Sequence, residues 1–488
     1  MKNKLQSILS NYYKIQRTNN IESILNKKNL VITILGYGLT GKSLLRWCLN
    51  NLDKTNKYFI IDKKNTAITI SSNKKIIEIP ESYIKICFKK SNYILPSPGF
   101  SIQKNNKWYW KIIPELDLFF YLSHKSKLES IIITGSIGKT SLSTMINHYL
   151  SKNFHTILCG NIGYPTLDAL SEYKNNRKLI AIIECSNLQL QHCVLIKVDY
   201  FIITNLFNNH LDVHESYQKY ILSKLSPIVF QHEYIKKIII SQSAYNELKK
   251  FYNILIKKII KKIILILDSD NLANIKNTKK IVYIKKNMIF KNNKILLSNI
   301  PLFSFTMNWQ ILVTILSYYI KNIDLTITQS TLPSLPQFRL QKIKTSPSMI
   351  IYNDSKSTII ESSLSALNQI LLNHNNFYIF FMIGGLSKGV NRIQGVHKIF
   401  NQVDQLILFG GESQQLYQNL LNEINTEKIN SVKLFKSLFE AAKYTISTAK
   451  LIKKNSIVVF SPGGSSFDEF NSYIDRGQKF NEMITNLI

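Results

Sequence analysis

Arginine is nearly missing from this sequence. Only Arg17, Arg46, Arg177, Arg339, Arg392 and Arg476 stand among 62 basic residues, so 56 are lysine. Nucleic-acid surfaces favour arginine, whose planar fork makes paired contacts to phosphates and bases. The formal net charge of +32 would otherwise point to a polyanionic partner. The 75 isoleucines and abundant asparagine share A/T-rich codons with lysine, so the charge reads as compositional drift and no nucleic-acid partner is expected. Glycine and proline are scarce, at 17 and 11, which excludes collagen-like and linker-like chains. Five cysteines, Cys48, Cys87, Cys159, Cys185 and Cys193, form no C-x-x-C pair. Neither a disulfide framework nor a zinc site is indicated. No apolar run approaches 18 residues, and Met1–Ser10 is polar. A membrane span and a secretory signal are therefore not expected, and the expected compartment is the cytoplasm.

What is present is core-forming material, 45% hydrophobic and 11% aromatic. At about 100–200 residues per domain, 488 residues make about three. Apolar runs of strand length alternate with helix-length segments throughout: Leu30–Leu35, Tyr58–Ile61, Ser130–Ile133, Leu179–Ile183, Tyr200–Ile203, Phe377–Ile383, Gln405–Phe409 and Ser456–Phe460. That rhythm predicts an α/β fold with mostly parallel sheets and ligands at the strand C-termini. Boundaries are expected near Tyr121–Lys127 and in the proline-rich stretch Thr331–Gln341. Lys249–Asn299 carries no motif.

Several strand ends carry chemistry. Gly36-Tyr37-Gly38-Leu39-Thr40-Gly41 follows VITIL, and Asp62 closes the next strand 21 residues after Gly41. This is the dinucleotide-binding pattern, read as an NAD site or as a Rossmann-like strand–turn–helix for another nucleotide or for none. Gly135-Ser136-Ile137-Gly138-Lys139-Thr140-Ser141 follows another strand. It is a shortened phosphate loop: backbone N–H groups cradle phosphate, Lys139 adds charge and Thr140 can ligate magnesium. Glu184 ends the strand LIAIIE, where a carboxylate can hold magnesium, and Ser186 and Gln189 follow it. Thr204–His214 places His210, Asp212 and His214 in one loop. Three small-polar turns, Asn353–Thr358, Gly384–Gly389 and Ser461–Asp468, end strands in the last third and point to an anionic ligand.

These motifs resemble, in order and spacing, the Mur ligase family, ATP-dependent amide ligases of peptidoglycan precursor synthesis. The resemblance rests on GSIGKTS, GNIGYP (Gly160–Pro165), ECSNLQL (Glu184–Leu190), TNLFNNHLDVH, the arginine of QFRLQ, and NDSKST. It spans nearly the whole chain. GYGLTGKS, Ser97-Pro98-Gly99 and SPGGSSFDEFNSYIDRGQKF are similar to the members that add D-glutamate to UDP-N-acetylmuramoyl-L-alanine. The resemblance implies three domains: a Rossmann-like UDP-binding domain at 1–124, a central P-loop-type ATPase domain with a parallel sheet at 125–331, and a Rossmann-like amino-acid-binding domain at 332–488.

It also implies roles. Gly36, Gly38, Leu39, Thr40, Gly41, Asp62, Lys63, Ser97, Pro98 and Gly99 would hold the UDP end, which moves the first turn from NAD to UDP. Asn161, Ser186 and Gln189 would contact the muramoyl-alanine part. Gly135, Ser136, Ile137, Gly138, Lys139, Thr140 and Ser141, with Arg339 and Asp354, would bind ATP. Two magnesium ions would sit on Thr140, Glu184, His210 and a carbamylated Lys224. Lys139, His210 and Lys224 would be catalytic. Lys356, Thr358, Lys388, Ser466, Phe467 and Tyr473 would receive D-glutamate. A monomer is expected. The sequence departs from the family at Asn209, Ile137, Met307, Ile311 and Phe338. Other readings are a different Mur ligase, a folylpolyglutamate synthetase-like ligase, or an inactive homologue.

Overall fold

The computed structural model describes residues 2–71, 75–100, 102, 106–124, 128–171, 178–207, 216–267, 280–285, 288–301, 306–328, 331–333, 337–345, 348–374, 376–387, 389–421 and 430–488. Contacts divide the chain into two compact units. The first is residues 1–206, 221–299 and 310–327, and the second is residues 207–220, 300–309 and 328–488.

The first unit holds two sheets. The five-stranded sheet runs Thr69–Ile70, Ile76–Pro80, Lys57–Asp62, Val31–Leu35, Tyr93–Pro96, with only Thr69–Ile70 antiparallel. The nine-stranded sheet runs Lys294–Leu297, Met288–Lys291, Ile281–Lys285, Ile263–Ile266, Ile235–Ser241, Val198–Ile203, Leu128–Thr134, Leu179–Glu184, His155–Gly160. Its last seven strands are mutually parallel, and a short antiparallel ladder extends the other edge. Continuous apolar strands such as Ser130–Ile133 belong in such a sheet, covered on both faces; Ile131, Ile132 and Ile133 are fully buried.

The second unit holds a six-stranded sheet: Gln341–Thr345, Met349–Asn353, Ser456–Phe460, Tyr378–Gly384, Gln405–Phe409, Val432–Phe435. All but Gln341–Thr345 are parallel. Apolar clusters fill both faces, one around Phe381 and Leu406 and the other around Phe460 and Phe480.

Each expected strand is present within a residue or two. The motif-free stretch Lys249–Asn299 supplies strands to the central sheet. The 25-residue helix Lys2–Asn26 carries no sequence motif. Ile21 and Ile24 bury on it, and Arg17, 3% exposed, lies 3.5 Å from the fully buried Asp117 on the helix Glu115–Ser123.

Strand order positions the motifs. Leu128–Thr134 lies between Leu179–Glu184 and Val198–Ile203. The turn after it is therefore flanked by Glu184 and by Thr204-Asn205. Val31–Leu35 lies between Lys57–Asp62 and Tyr93–Pro96, which puts Gly36–Gly41 beside Asp62 and Ser97. Ser456–Phe460 lies between Met349–Asn353 and Tyr378–Gly384, so the three small-polar turns gather at one sheet edge.

Candidate active site

The first group surrounds the Gly36–Gly41 turn. Tyr37 N–H donates to Asp62 Oδ2 at 2.6 Å and Lys64 N–H to Asp62 Oδ1 at 3.0 Å. These two backbone donors hold the Asp62 carboxyl below its ordinary pKa. Ser97 Oγ donates to the Gly36 carbonyl at 2.8 Å. A Cβ on Gly41 would stand 1.9 Å from that carbonyl, so the helix Leu39–Asn51 can start this close only with glycine there. Lys63 Nζ lies 5.8 Å above the Phe100 ring. The expected UDP residues are thus brought together, and Leu39 is left 76% exposed on the turn.

The second group surrounds the Gly135–Ser141 turn. Lys139 Nζ donates to the Gly135 and Ser136 carbonyls at 2.8 and 3.1 Å. Lys224, on the helix Tyr217–Gln231, donates to the same Gly135 carbonyl at 3.0 Å. Lys224 is buried. Burial first, and then the Lys139 charge, hold its amine well below the usual lysine pKa, while Glu184 and Cys185 oppose the shift. Glu184 is 2% exposed. Its Oε1 accepts from Asn161 Nδ2 at 3.0 Å, while its Oε2 is buried without a hydrogen-bond partner. A buried, half-satisfied carboxylate beside a buried lysine fits a divalent cation, which the carboxylate needs in place of water.

Ser186 and Gln189 meet as a capping box on the helix Asn187–Leu190: Gln189 N–H donates to Ser186 Oγ at 3.3 Å, and Ser186 N–H to Gln189 Oε1 at 2.9 Å. No group of three or more His, Cys, Asp or Glu forms a metal cluster among the described residues. His210 and Asn209 lie outside the described residues.

Thr204 and Asn205, which open the Thr204–His214 motif but were given no role in the sequence, hold the Gly135–Ser141 turn. Asn205 Oδ1 accepts from the N–H groups of Ser136 and Ile137 at 3.1 and 2.8 Å, and Thr204 Oγ1 donates to the Ile137 carbonyl at 2.7 Å. Their signal was their place at the head of TNLFNNHLDVH, directly after a strand.

The third group lies in the second unit. Asp354 is buried and accepts from Leu340 N–H at 3.0 Å, Ser461 Oγ at 2.7 Å and Ser357 Oγ at 2.5 Å. Burial raises its carboxyl pKa to about 6 against these hydrogen bonds and Arg339. Phe338 and Leu340, at φ 61° and 44°, flank Arg339 in the left-handed region, a strain that persists where surrounding contacts enforce it. Lys356 N–H donates to the Phe338 carbonyl at 3.0 Å. Lys356 Nζ stands 3.6 Å above the Tyr473 ring, a cation–π contact. Ser466 is buried beside the exposed Phe467, and Thr358 ends the Asp354 turn. Lys388 lies outside the described residues.

Two buried arginines tie these turns together. Arg392 donates to the Gly384, Gly463 and Gly385 carbonyls at 2.9, 3.2 and 2.7 Å and to Glu412 at 3.0 Å. Arg476 donates to the Gly464 carbonyl at 3.0 Å, the Ser355 carbonyl at 2.8 Å and Ser355 Oγ at 3.1 Å.

Residues 133–305 match the Mur ligase middle domain. A UDP-N-acetylmuramoylalanine–D-glutamate ligase from Francisella philomiragia is 24% identical over 474 residues, covering 95% of this chain and 98% of its own length. Among solved structures, MurF from Acinetobacter baumannii is similar with a TM-score of 0.54 at 13% identity, over 96% of this chain and 98% of its own. A MurF ligase from Thermotoga maritima, solved in complex with ADP, gives a TM-score of 0.51 at 13% identity over 88% of this chain and 95% of its own. Residues 133–305 thus match a Mur ligase middle domain, and the chain is similar over nearly its whole length to Mur ligases.

Proposed function

We propose that this chain is an ATP-dependent amide ligase that joins D-glutamate to UDP-N-acetylmuramoyl-L-alanine in peptidoglycan precursor synthesis. The observation that carries the ligase reading is the convergence of Lys139, Lys224 and Glu184 on one phosphate turn. The ADP bound to a MurF ligase of similar fold supports ATP as the nucleotide. The D-glutamate reading draws on the name of the long relative and on the contact between Lys356 and Tyr473, 117 residues apart.

In this reading an oxygen of the alanyl carboxylate attacks the γ-phosphorus of ATP. The bond to the β-phosphate oxygen breaks, ADP leaves and an acyl phosphate forms. Two anions must approach each other, and Lys139, fixed at the turn, faces the phosphate oxygens with a positive charge. Thr140, Glu184, His210 and a carbamate on Lys224 would hold magnesium, which would supply further charge neutralisation. Burial favours the neutral amine at Lys224, and the neutral amine is the form that adds to carbon dioxide. Asn161 keeps the Glu184 carboxylate oriented. The D-glutamate amine then attacks the acyl carbon, the bond to phosphate breaks, phosphate leaves and the amine sheds its proton. Lys356, Thr358, Lys388, Ser466, Phe467 and Tyr473 hold the amino acid, lysines facing its carboxylates. The resemblance assigns Arg339 and Asp354 to ATP as well.

The test is a matrix of acceptors and amino acids with phosphate release as readout. Release is expected only with ATP, UDP-N-acetylmuramoyl-L-alanine and D-glutamate together. Release with L-alanine on UDP-N-acetylmuramic acid, or with meso-diaminopimelate or L-lysine on the longer acceptor, would assign the chain to another Mur ligase activity.

A further inference from the structure

The loop Gly160–Pro165 is folded tightly. Gly160 N–H donates to the Tyr164 carbonyl at 2.8 Å, and Asn161 N–H donates to the Glu184 carbonyl at 2.8 Å. It runs straight into the short helix Thr166–Ser171, which two other helices grip. Glu115, buried on Glu115–Ser123, accepts from Thr166 Oγ1 at 2.8 Å and Leu167 N–H at 3.2 Å. On the other side Asp168 accepts from Ser43 Oγ at 2.7 Å and from Arg46 Nη2 at 2.5 Å. Ser43 is fully buried, and both donors lie on Leu39–Asn51, the helix that begins in the Gly36–Gly41 turn.

A continuous line of contacts therefore runs from Gly41 through Ser43, Asp168 and Pro165 to Asn161 and Glu184. We propose that Asp168, clasped by Ser43 and Arg46, is a positioning residue that fixes the span between the nucleotide-binding turn and the Glu184 site, and thereby selects acceptors by length. This rests on the function proposed above, in which the acceptor is a nucleoside diphosphate sugar with a reacting carboxylate at its far end. Such a ligand touches both ends of the line and not Asp168. Muramoyl acceptors carrying zero, one or two amino acids present nearly the same chemistry at each end and differ in the distance between them. A rigid span discriminates among them; a loose one does not.

Two measurements on the full chain test this. In steady-state assays, Asp168→Ala is expected to raise KM for the one-residue acceptor about tenfold, the loss typical of a charged hydrogen-bond pair. It should leave KM for ATP unchanged and kcat within about twofold. Its preference over the zero- and two-residue acceptors should fall by a similar factor, and the exchange Asp168→Arg with Arg46→Asp should restore part of it. An unchanged acceptor preference, or a fall in kcat alone, overturns the proposal. Separately, spin labels on Asn51→Cys and Asn153→Cys should give a narrow distance distribution that Asp168→Ala broadens. An unchanged width overturns the clasp whatever the enzyme turns over. A parent protein inactive on every muramoyl acceptor but showing the broadening would instead overturn the proposed function and the length selection together, leaving only the clasp.

Discussion

Lys139 and Lys224 donate to one acceptor, the carbonyl oxygen of Gly135, at 2.8 and 3.0 Å. Burial first, and then the Lys139 charge, holds the Lys224 amine well below the usual lysine pKa. One turn thus carries two lysines in unlike settings: Lys139, half-buried and fixed to the turn, and Lys224, buried.

Replacing the fixed cation should remove turnover. Lys139→Ala is expected to lower kcat by on the order of 100- to 1000-fold, as deletion of a transition-state charge partner does. Thermal stability should change little, because Lys139 is only half-buried. Near-normal kcat would break the link between this turn and phosphate.

Lys224→Ala should also inactivate, with a distinct signature. If the working group at that position is a carbamate, millimolar formate or acetate should return part of the activity by standing where the carboxylate stood. Lys224→Arg, permanently charged, should be inactive and unresponsive to either acid. Inactivity without rescue would mean that the amine itself is the working group.

Asp354 predicts a pH dependence of stability. Its carboxyl sits at about 6 in the fold and near about 3.9 in an unfolded chain. Between those values the folded state holds more protons, so this residue's contribution to stability falls as pH rises from about 4 to 6, by up to about 1.4 kcal/mol per pH unit. The gap in Tm between the parent and Asp354→Asn should change across that window and stay level above about pH 7. Parallel curves throughout would show that the carboxyl titrates normally.

Gly477→Ala reaches Arg339 through a neighbour. A Cβ there would stand 2.4 Å from Phe338 Cδ1, and Phe338 precedes Arg339 in a strained backbone. The expected result is a KM for ATP raised about fivefold to tenfold, with the acceptor KM unchanged. Unchanged KM values with a lower Tm would confine the glycine to packing.

Much of this site was legible because parallel strands write it in a simple form: an apolar run, then a small or charged residue where the sheet ends. Gly36, Gly135, Glu184, Asp354 and Ser461 all stand there. Strand order was not legible. That Leu128–Thr134 lies between Leu179–Glu184 and Val198–Ile203 follows from long-range pairing, and only that order brings Asn205 to the amides of Ser136 and Ile137. The helix Lys2–Asn26 was missed for a related reason. It leaves Tyr12 and Ile15 exposed and buries Arg17 against Asp117 along with Ile21 and Ile24, so its apolar residues mark no single buried face.

The six arginines take on a new meaning beside Lys111. That lysine, 6% exposed, gathers the Phe88, Lys89 and Ser91 carbonyls around a single nitrogen at 3.0, 3.3 and 2.5 Å, closing the end of the helix Ile84–Lys90. Where acceptors converge on a point, a point charge serves. Arg392 and Arg476 face acceptors that diverge across separate turns, and a rigid fork spans what one ammonium cannot. In a chain with 56 lysines and six arginines, guanidinium groups stand at these two sites, where one nitrogen cannot replace two.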